Sequence, residues 1–423
     1  MIEKLLQKAR EKNIDLEIYQ SQNAGSHIIA SNDKLSKFEV FNNTNYKIKA
    51  LINGKMVSIY TGSIDNPDMI IEELKNSAIV LDNDDKDEFA QQFEFEQVDV
   101  IDNEDDDKNA NDLLNLVKFK DKYPNIITID SYYDKKISKT TIYNTNNVKL
   151  EDINKMVDVY VEIVIKENGI NQSVSMSFYD KDFDINKINK QMDDKIEKTI
   201  KKAYAKSCQS KKYNIILKNE VVADILNTFN NMFFAEAIRK KYSVLTDKLN
   251  KKVFSDKITI VEDPLDIDFP ERKTFDSEGV KTSFKEIVKD GVFVRKLYDN
   301  KTAFRENTKS TGNSLGVINR YIKPGSVSFK KLVNELNNGI IIDYALGLHS
   351  GINTATGDIS IQAEGFAVEN GTITTALNQI VLSTNIFELL TNVEAVGSDL
   401  KKTGSNGGAP SLLINDVFIA GKE

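Results

Sequence analysis

The 423-residue chain predicts an α+β protein of two domains. Residues 1–210 read as a mixed α/β unit. Residues 211–423 read as a mainly antiparallel, curved or barrel-like β unit with a few helices. Three observations carry that expectation. Alternating apolar and polar residues, the period-2 signature of half-buried strands, dominate both halves. Asn-Gly pairs at Asn53, Asn168 and Asn370 sit between such runs, as tight hairpin turns require. Glycine is uneven: Gly25, Gly54, Gly62 and Gly169 are the only ones in 1–211, and the rest of the 20 lie at or after Gly279. Glycine permits positive φ and close backbone approach, so the second half is expected to hold turns, bulges and backbone-lined grooves.

Taken in order, Leu5, Leu6 and Ala9 share one face of a first helix. The runs DLEIYQ, SHIIAS, KFEVFNN, YKIKALI and KMVSIYTG follow as strands. Pro67 opens a helix with Asn66 as N-cap and Ile70, Ile71, Leu74, Ala78 and Leu81 at helical period. The acidic stretch 82–107, broken by Phe89, Phe93 and Phe95, reads as a solvated connection. It lacks the Gly turn and the spaced terminal Glu of a calcium-binding EF-hand loop. A helix near 109–123 precedes the strands NIITIDSYY, KTTIYNT and the hairpin turning at Asn168. Residues 185–206 form a lysine-rich amphipathic helix with Ile188, Met192, Ile196, Ile200 and Ala203 inward. In the second half, strand 213–218 leads into a helix over 220–240, on which Phe229, Phe233 and Phe234 are core or subunit-interface material. A helix over 328–338 is expected to close at Gly339. A glycine-punctuated sheet, a short helix near 385–393 and the strand SLLINDVFIAG complete the chain.

Composition excludes several functions. With one cysteine, Cys208, there is no internal disulfide and no cysteine-based zinc cluster. The two histidines, His27 and His349, are too far apart for any short His-x-His or HExxH motif. A net charge of −8 argues against general nucleic-acid or anionic-membrane binding. No apolar run reaches membrane-spanning length, and the first 20 residues are charged throughout, unlike a signal peptide. A cytoplasmic protein without a cofactor is expected.

The candidate site residues are loop residues that suit a groove for an extended peptide: Lys309, Ser310, Thr311 and Asn313 in KSTGNSLG, His349 in GLHSG, and Asp358 in TGDIS. Small-residue loops expose backbone N–H groups. His349 offers a proton or a peptide contact, and Asp358 orders its loop through backbone N–H groups. KSTG is not a phosphate-binding P-loop, because the Gly-x4-Gly-Lys order is absent. The adjacent Lys309-Ser310 pair need not face one another as nucleophile and base. Gly404, Gly407 and Gly408 mark a further tight or mobile loop.

Several blocks then carry a resemblance. They are FDSEGVKT (275–282), LYDNKTAFRENTKSTGN (297–313), GLHSGINTATGDISIQAEGFAVENGTI (347–373), NVEAVGSDLKKTGSNGGAPS and SLLINDVFIAGKE. With the first helix, the hairpin at Asn53 and the Pro67 helix in family order, the chain resembles the TldD/PmbA family, on its PmbA (TldE) side. The resemblance implies paired chains that process peptides. One branch carries HExxxH on a helix of the C-terminal domain and a later cysteine, which hold zinc while the Glu acts on water. The other branch lacks these ligands and pairs with the zinc chain. Members are associated with peptide-antibiotic maturation and antitoxin degradation, and the name modulator of DNA gyrase comes from a phenotype.

The corresponding helix here lies in NEVVADILNTFNNMFFAEAIRKKYSVL and has no histidine. Its acids Glu220, Asp224 and Glu236 are spaced for a solvated face, and Cys208 precedes the helix. The resemblance therefore implies a metal-free subunit without catalytic residues. Its partner would be a TldD-like zinc peptidase chain if one is encoded, otherwise a second copy, with an unfolded peptide as guest. Two rivals remain: a stand-alone peptide hydrolase with an unrecognised Ser, Lys or Asp site, and a regulatory binding protein tied to gyrase or toxin–antitoxin systems.

Overall fold

A computed structural model describes residues 1–80, 88–96, 100–314, 316–404 and 407–422. Leu81 and part of the acidic stretch (82–87 and 97–99) lie outside the described residues. The fold is the expected α+β mixture, about 25% helix and 42% strand.

The N-terminal half is one antiparallel sheet with strand order β3-β2-β1-β4-β5-β6. The strands are β1 (Asp15–Ser31), β2 (Lys34–Ile52), β3 (Lys55–Thr61), β4 (Ile126–Asn144), β5 (Lys149–Glu167) and β6 (Ile170–Asp180). The runs DLEIYQ and SHIIAS fuse into β1, KFEVFNN and YKIKALI into β2, and NIITIDSYY and KTTIYNT into β4. The polar residues between these runs, such as 42–45, stay extended because the neighbouring long strands pair with them throughout. Asn53 and Gly54 both take positive φ at the tight turn joining β2 to β3.

Helices α1 (Ile2–Glu11) and α2 (Pro67–Val80) cover one end of this sheet. Leu5, Leu6, Ile70, Ile71 and Leu74 pack there on Leu16, Ile18, Ile48 and Ala50. Asn66 caps α2, its side-chain oxygen accepting from the Met69 N–H at 3.2 Å. At the other end lie α3 (Asp106–Leu114), the one-turn α4 (Phe119–Lys122) and α5 (Ile185–Lys202). Ile188, Met192 and Ile196 pack there on Val157, Val159, Val161 and Ile163, each buried aliphatic contributing about 2 kcal/mol.

The acidic stretch corrects the sequence reading. Its described part is a strap bound across the sheet rather than a solvated connection. The Ala90 N–H donates to Glu17 at 2.6 Å, and Asn144 donates to the Ala90 carbonyl at 2.9 Å. Lys49 pairs with Glu17 at 3.1 Å. Farther on, Lys135 pairs with Asp102 and Asp106, and Lys155 with Glu104 and Asp182. These lysines are only 7% and 5% exposed. A buried ammonium is tolerated only with opposite charge beside it, which is what the acids supply. Ala90 also packs with Ile142, Leu150 and Phe275, so the strap joins the two halves.

The C-terminal half begins with β7 (Lys211–Leu217), followed by α6 (Asn219–Thr228), a 3-10 turn and α7 (Ala235–Arg239). The expected continuous helix over 220–240 is therefore broken. Phe229 leaves helical geometry and is buried with Met232 and Phe233 in the core. A small sheet of order β10-β9-β8-β11-β17-β16 comprises β8 (Ile260–Glu262), β9 (Lys285–Lys289), β10 (Val292–Phe293), β11 (Arg320–Ile322), β16 (Lys401–Lys402) and β17 (Gly407–Ala409). The other strands are β12 (Gly339–Leu346), β13 (Asp358–Glu369), β14 (Thr372–Asn385), β15 (Val393–Val396) and β18 (Leu412–Ala420).

β7, β12, β13, β14 and β18 form a closed five-stranded barrel, because β18 pairs with both β7 and β14. Ile215, Ile340, Ile342, Ile361, Leu382 and Ile414 pack in one core with Val222, Leu226 and Phe229 of α6. The short helices α8 (Asn300–Arg305), α9 (Phe329–Leu336), α10 (Leu348–Gly351) and α11 (Ile386–Thr391) decorate the periphery. Gly339 is the first residue of β12, and α9 ends instead at Asn337, which takes the positive φ.

Candidate functional site

The sequence places an amphipathic helix, α6, directly after a barrel strand. Val221, Val222, Ala223, Ile225 and Leu226 are buried, which leaves Glu220 and Asp224 one turn apart on the outward side. Glu220 lines a cleft of about 540 Å³ between the two halves. Its N-terminal wall is β6, the edge strand of the large sheet, with α5. Its other wall is the head of α6 with Asp343, Tyr344, Leu346, Glu364 and Lys401.

Charge pairs knit the walls together. The Glu220 carboxylate binds Lys195 of α5 at 3.0 Å and also Lys401 of β16. Burial pushes this carboxyl up, but the two ammonium groups outweigh burial and hold it at about 2. Asp224 is exposed on the next turn, yet desolvation by its neighbours, with the Glu220 charge beside it, lifts its carboxyl to about 6. Lys202 of α5 bridges to Asp343 at 2.8 Å and Glu364 at 3.3 Å. Lys218 lies 3.8 Å from the centre of the Phe329 ring and 3.4 Å from Asp399. Burial lowers its basicity, and Asp399 restores only part of it. Asn219 donates to the Asp399 carbonyl at 2.9 Å. Asp399 in turn accepts from the Ser411 hydroxyl and N–H at 2.7 and 2.9 Å.

Asn219-Glu220-x-x-x-Asp224 keeps the spacing of the His-Glu-x-x-x-His pattern, with Asn and Asp where the histidines would stand. This donor set does not fit zinc. The Asn219 amide is committed to Asp399, and two ammonium groups occupy the Glu220 carboxylate and repel a second cation. Among the described residues, no three His, Cys, Asp or Glu side chains come together in a way that could hold a metal ion.

The sequence-chosen loop residues do not converge on this cleft. Lys309 and Ser310 line a separate groove of about 780 Å³ between the strap, the β2–β3 hairpin and α8. The Ser310 hydroxyl donates to the Tyr298 carbonyl at 3.0 Å, as the Thr311 hydroxyl does to Asn313 at 2.7 Å. Asn313 is buried, its amide on both oxygens of Glu262 at 2.8 and 3.0 Å. Glu262 in turn pairs with the buried Lys285 at 2.9 Å. Asp358 accepts from Thr356 at 2.6 Å and from Asn385 at 3.0 Å, and orders its own loop. His349 is exposed on α10. His27 sits on β1, 2.7 Å from Asp134. Of the acids read as a solvated face, Glu236 is one, held by Arg239 and Lys240. Asp224 is exposed and is another, whereas Glu220 is half-buried and held by Lys195 and Lys401. Sequence reasoning missed Lys195, Lys202, Lys218, Asp399 and Lys401. The signal that could have pointed to the place is the spacing of Asn219, Glu220 and Asp224, which the reading of these acids as a solvated face passed over.

Residues 210–421 match the signature of the PmbA/TldA metallopeptidase C-terminal domain. The chain belongs to the PmbA/TldD family. It is similar to the metalloprotease PmbA of Escherichia coli O157:H7, 30% identical over 225 residues, which is 53% of this chain and 49% of that one. The match thus spans about half the length of the curated relatives. Among solved structures, a Thermotoga maritima MSB8 protein named for modulation of a DNA gyrase superposes with a TM-score of 0.91 at 24% identity, covering 99% of both chains. TldE from Thermococcus kodakarensis superposes with a TM-score of 0.85 at 19% identity over 99% of both chains. These two share the fold. No helix among the described residues is long and apolar enough to cross a membrane.

Proposed function

We propose that this chain is a PmbA/TldE-like, non-catalytic subunit of a peptide-processing metallopeptidase system, and that the cleft at the head of α6 holds an unfolded peptide. The observation that carries this reading is the capture of Glu220 by Lys195 and Lys401. A carboxylate held by two ammonium groups is a poor general base and a poor metal ligand. The cleft is nevertheless open and polar. One wall is the edge strand β6, whose outward backbone groups suit main-chain pairing with an extended peptide. Cleavage would belong to a TldD-like zinc chain where one is present. The division into domains 1–210 and 211–423 is part of this reading, with the cleft between them.

The test is a binding and cleavage assay on the full chain with a fluorescein-labelled unstructured peptide, with and without added zinc. The expected outcome is saturable binding and no cleavage in either condition. Ser173 of β6 lines the cleft, and Ser173→Trp puts an indole into it beside the edge strand, so binding should weaken by about tenfold or more. Cleavage by the metal-stripped chain would instead favour a stand-alone hydrolase.

A further inference from the structure

The cleft at the head of α6 is positive in a chain whose net charge is −8. Among the described residues, Lys195, Lys198, Lys202, Lys218 and Lys401 line it against the acids Asp194, Glu220, Asp343 and Glu364. Every one of these acids already has its cation. Glu220 holds Lys195 and Lys401, Lys202 holds Asp343 and Glu364, and Asp194 lies 2.6 Å from Lys198 on the same helix. Lys218 is the lysine left over.

An ammonium carries three N–H donors. Among the described residues, the one hydrogen bond from the Lys218 side chain goes to Asp399 at 3.4 Å, which is long for such a bond. The oxygen concerned, Oδ2, also accepts from the Ser411 hydroxyl at 2.7 Å and from the Asn219 amide at 3.4 Å, so its charge is shared. Position adds to the imbalance. Lys218 is the cap residue of α6, and the start of a helix is the positive end of its dipole, where an anion is stabilised and a cation is not. The side chain is only 23% exposed, so solvent and salt screen this charge less than they would a surface lysine.

We propose that Lys218 selects the guest of this cleft by taking a carboxylate of the peptide as its counter-ion, so that peptides carrying an acid are held in preference to those without one. The inference rests on the peptide reading above and narrows it. The carboxylate is an Asp or Glu side chain or the peptide's own C-terminus, and one experiment separates the two sources.

That experiment is calorimetric titration of the full chain at low salt with three unstructured peptides of Ser, Gln and Ala, all N-acetylated and of equal length. The first is C-amidated and has no carboxylate. The second has a free C-terminus, and the third is amidated with one central Glu. The wild-type chain is expected to bind the second, the third or both about tenfold more tightly than the first. Tighter binding of the second assigns the C-terminus, and of the third the side chain. Lys218→Met keeps the apolar stem on Phe329 and removes the charge, so it should bind all three as wild type binds the first. Lys218→Arg should keep the preference. A purely structural lysine would, on removal, weaken all three alike. Equal binding of the three by wild type overturns the inference, leaves the peptide reading standing and needs no variant. A preference that survives Lys218→Met overturns it as well. If none of the peptides binds, the peptide reading itself fails and takes this inference with it.

Discussion

The chain contains two lysine–carboxylate clusters built from the same residue types, with opposite consequences. On the large sheet, Lys135 and Lys155 are sealed beneath the strap with Asp102, Glu104, Asp106 and Asp182 around them. At the head of α6, Glu220 sits with Lys195 and Lys401 on the wall of an open cleft. In the first, acids outnumber lysines and keep the buried ammonium groups charged. In the second, lysines outnumber the acid they hold and remove a carboxylate from chemistry. The difference is solvent access. A sealed cluster acts on stability, whereas an open one shapes what a cleft can accept.

Three perturbations sharpen that contrast. The largest effect is expected from Lys155→Met, which leaves Glu104 almost buried without its cation. A loss of about 3–5 kcal/mol is expected, read as a lower denaturant midpoint with exposure of the strap to protease. Next is Glu220→Gln, which leaves Lys195 and Lys401 facing each other. A loss of about 2 kcal/mol is expected at neutral pH. Because the folded Glu220 carboxyl is held below its ordinary value, its stabilisation is full above pH about 4.5 and disappears as pH falls toward about 2. The variant should therefore lose less stability than wild type over that window. The smallest effect is that of Asp224→Asn. The folded Asp224 carboxyl is raised from 3.8 to about 6, so the native state binds its proton more tightly and loses stability as pH rises between those values. The variant should be more stable than wild type above pH 6 by about 1 kcal/mol, allowing for solvent screening, and the gap should close below pH 4. If Glu220→Gln proved as damaging as Lys155→Met, the distinction between sealed and open clusters would fail.

Much of the first half was legible because its strands are long and regular. Alternation from Leu16 to Ile18 and from Val157 to Ile165 reports a sheet with one buried face, and the Asn-Gly turns fix where it reverses. The strap was not legible. Acids in a row look solvated unless their cations are known, and those cations, Lys135 and Lys155, stand on strands that follow it in sequence. Similarly, the break at Phe229 depends on tertiary packing that no helical period reports. At the site, Glu220 was visible as an acid on a helix face. Its partners were not, because Lys195 and Lys401 reach it from elements 25 and 181 positions away. The loop residues attracted attention for their small size and glycine neighbours, which in Asp358 reflect ordering of its own loop and in Asn313 a buried bond to Glu262.

The closed barrel has a consequence for how the chain is made. Leu412 of β18 pairs with Leu217 of β7, 195 positions earlier (412 − 217). Such distant pairing is slow to form, since the intervening loop must close before any contact rewards it. The large sheet, by contrast, has all its strands in place by Asp180, and domains generally fold as units while synthesis continues. A chain halted between residues 385 and 412 therefore carries a sheet that can finish folding, tethered to a barrel still open between β7 and β14. The apolar lining of that barrel, Ile215 and Leu382 among it, is the surface a chaperone would meet first.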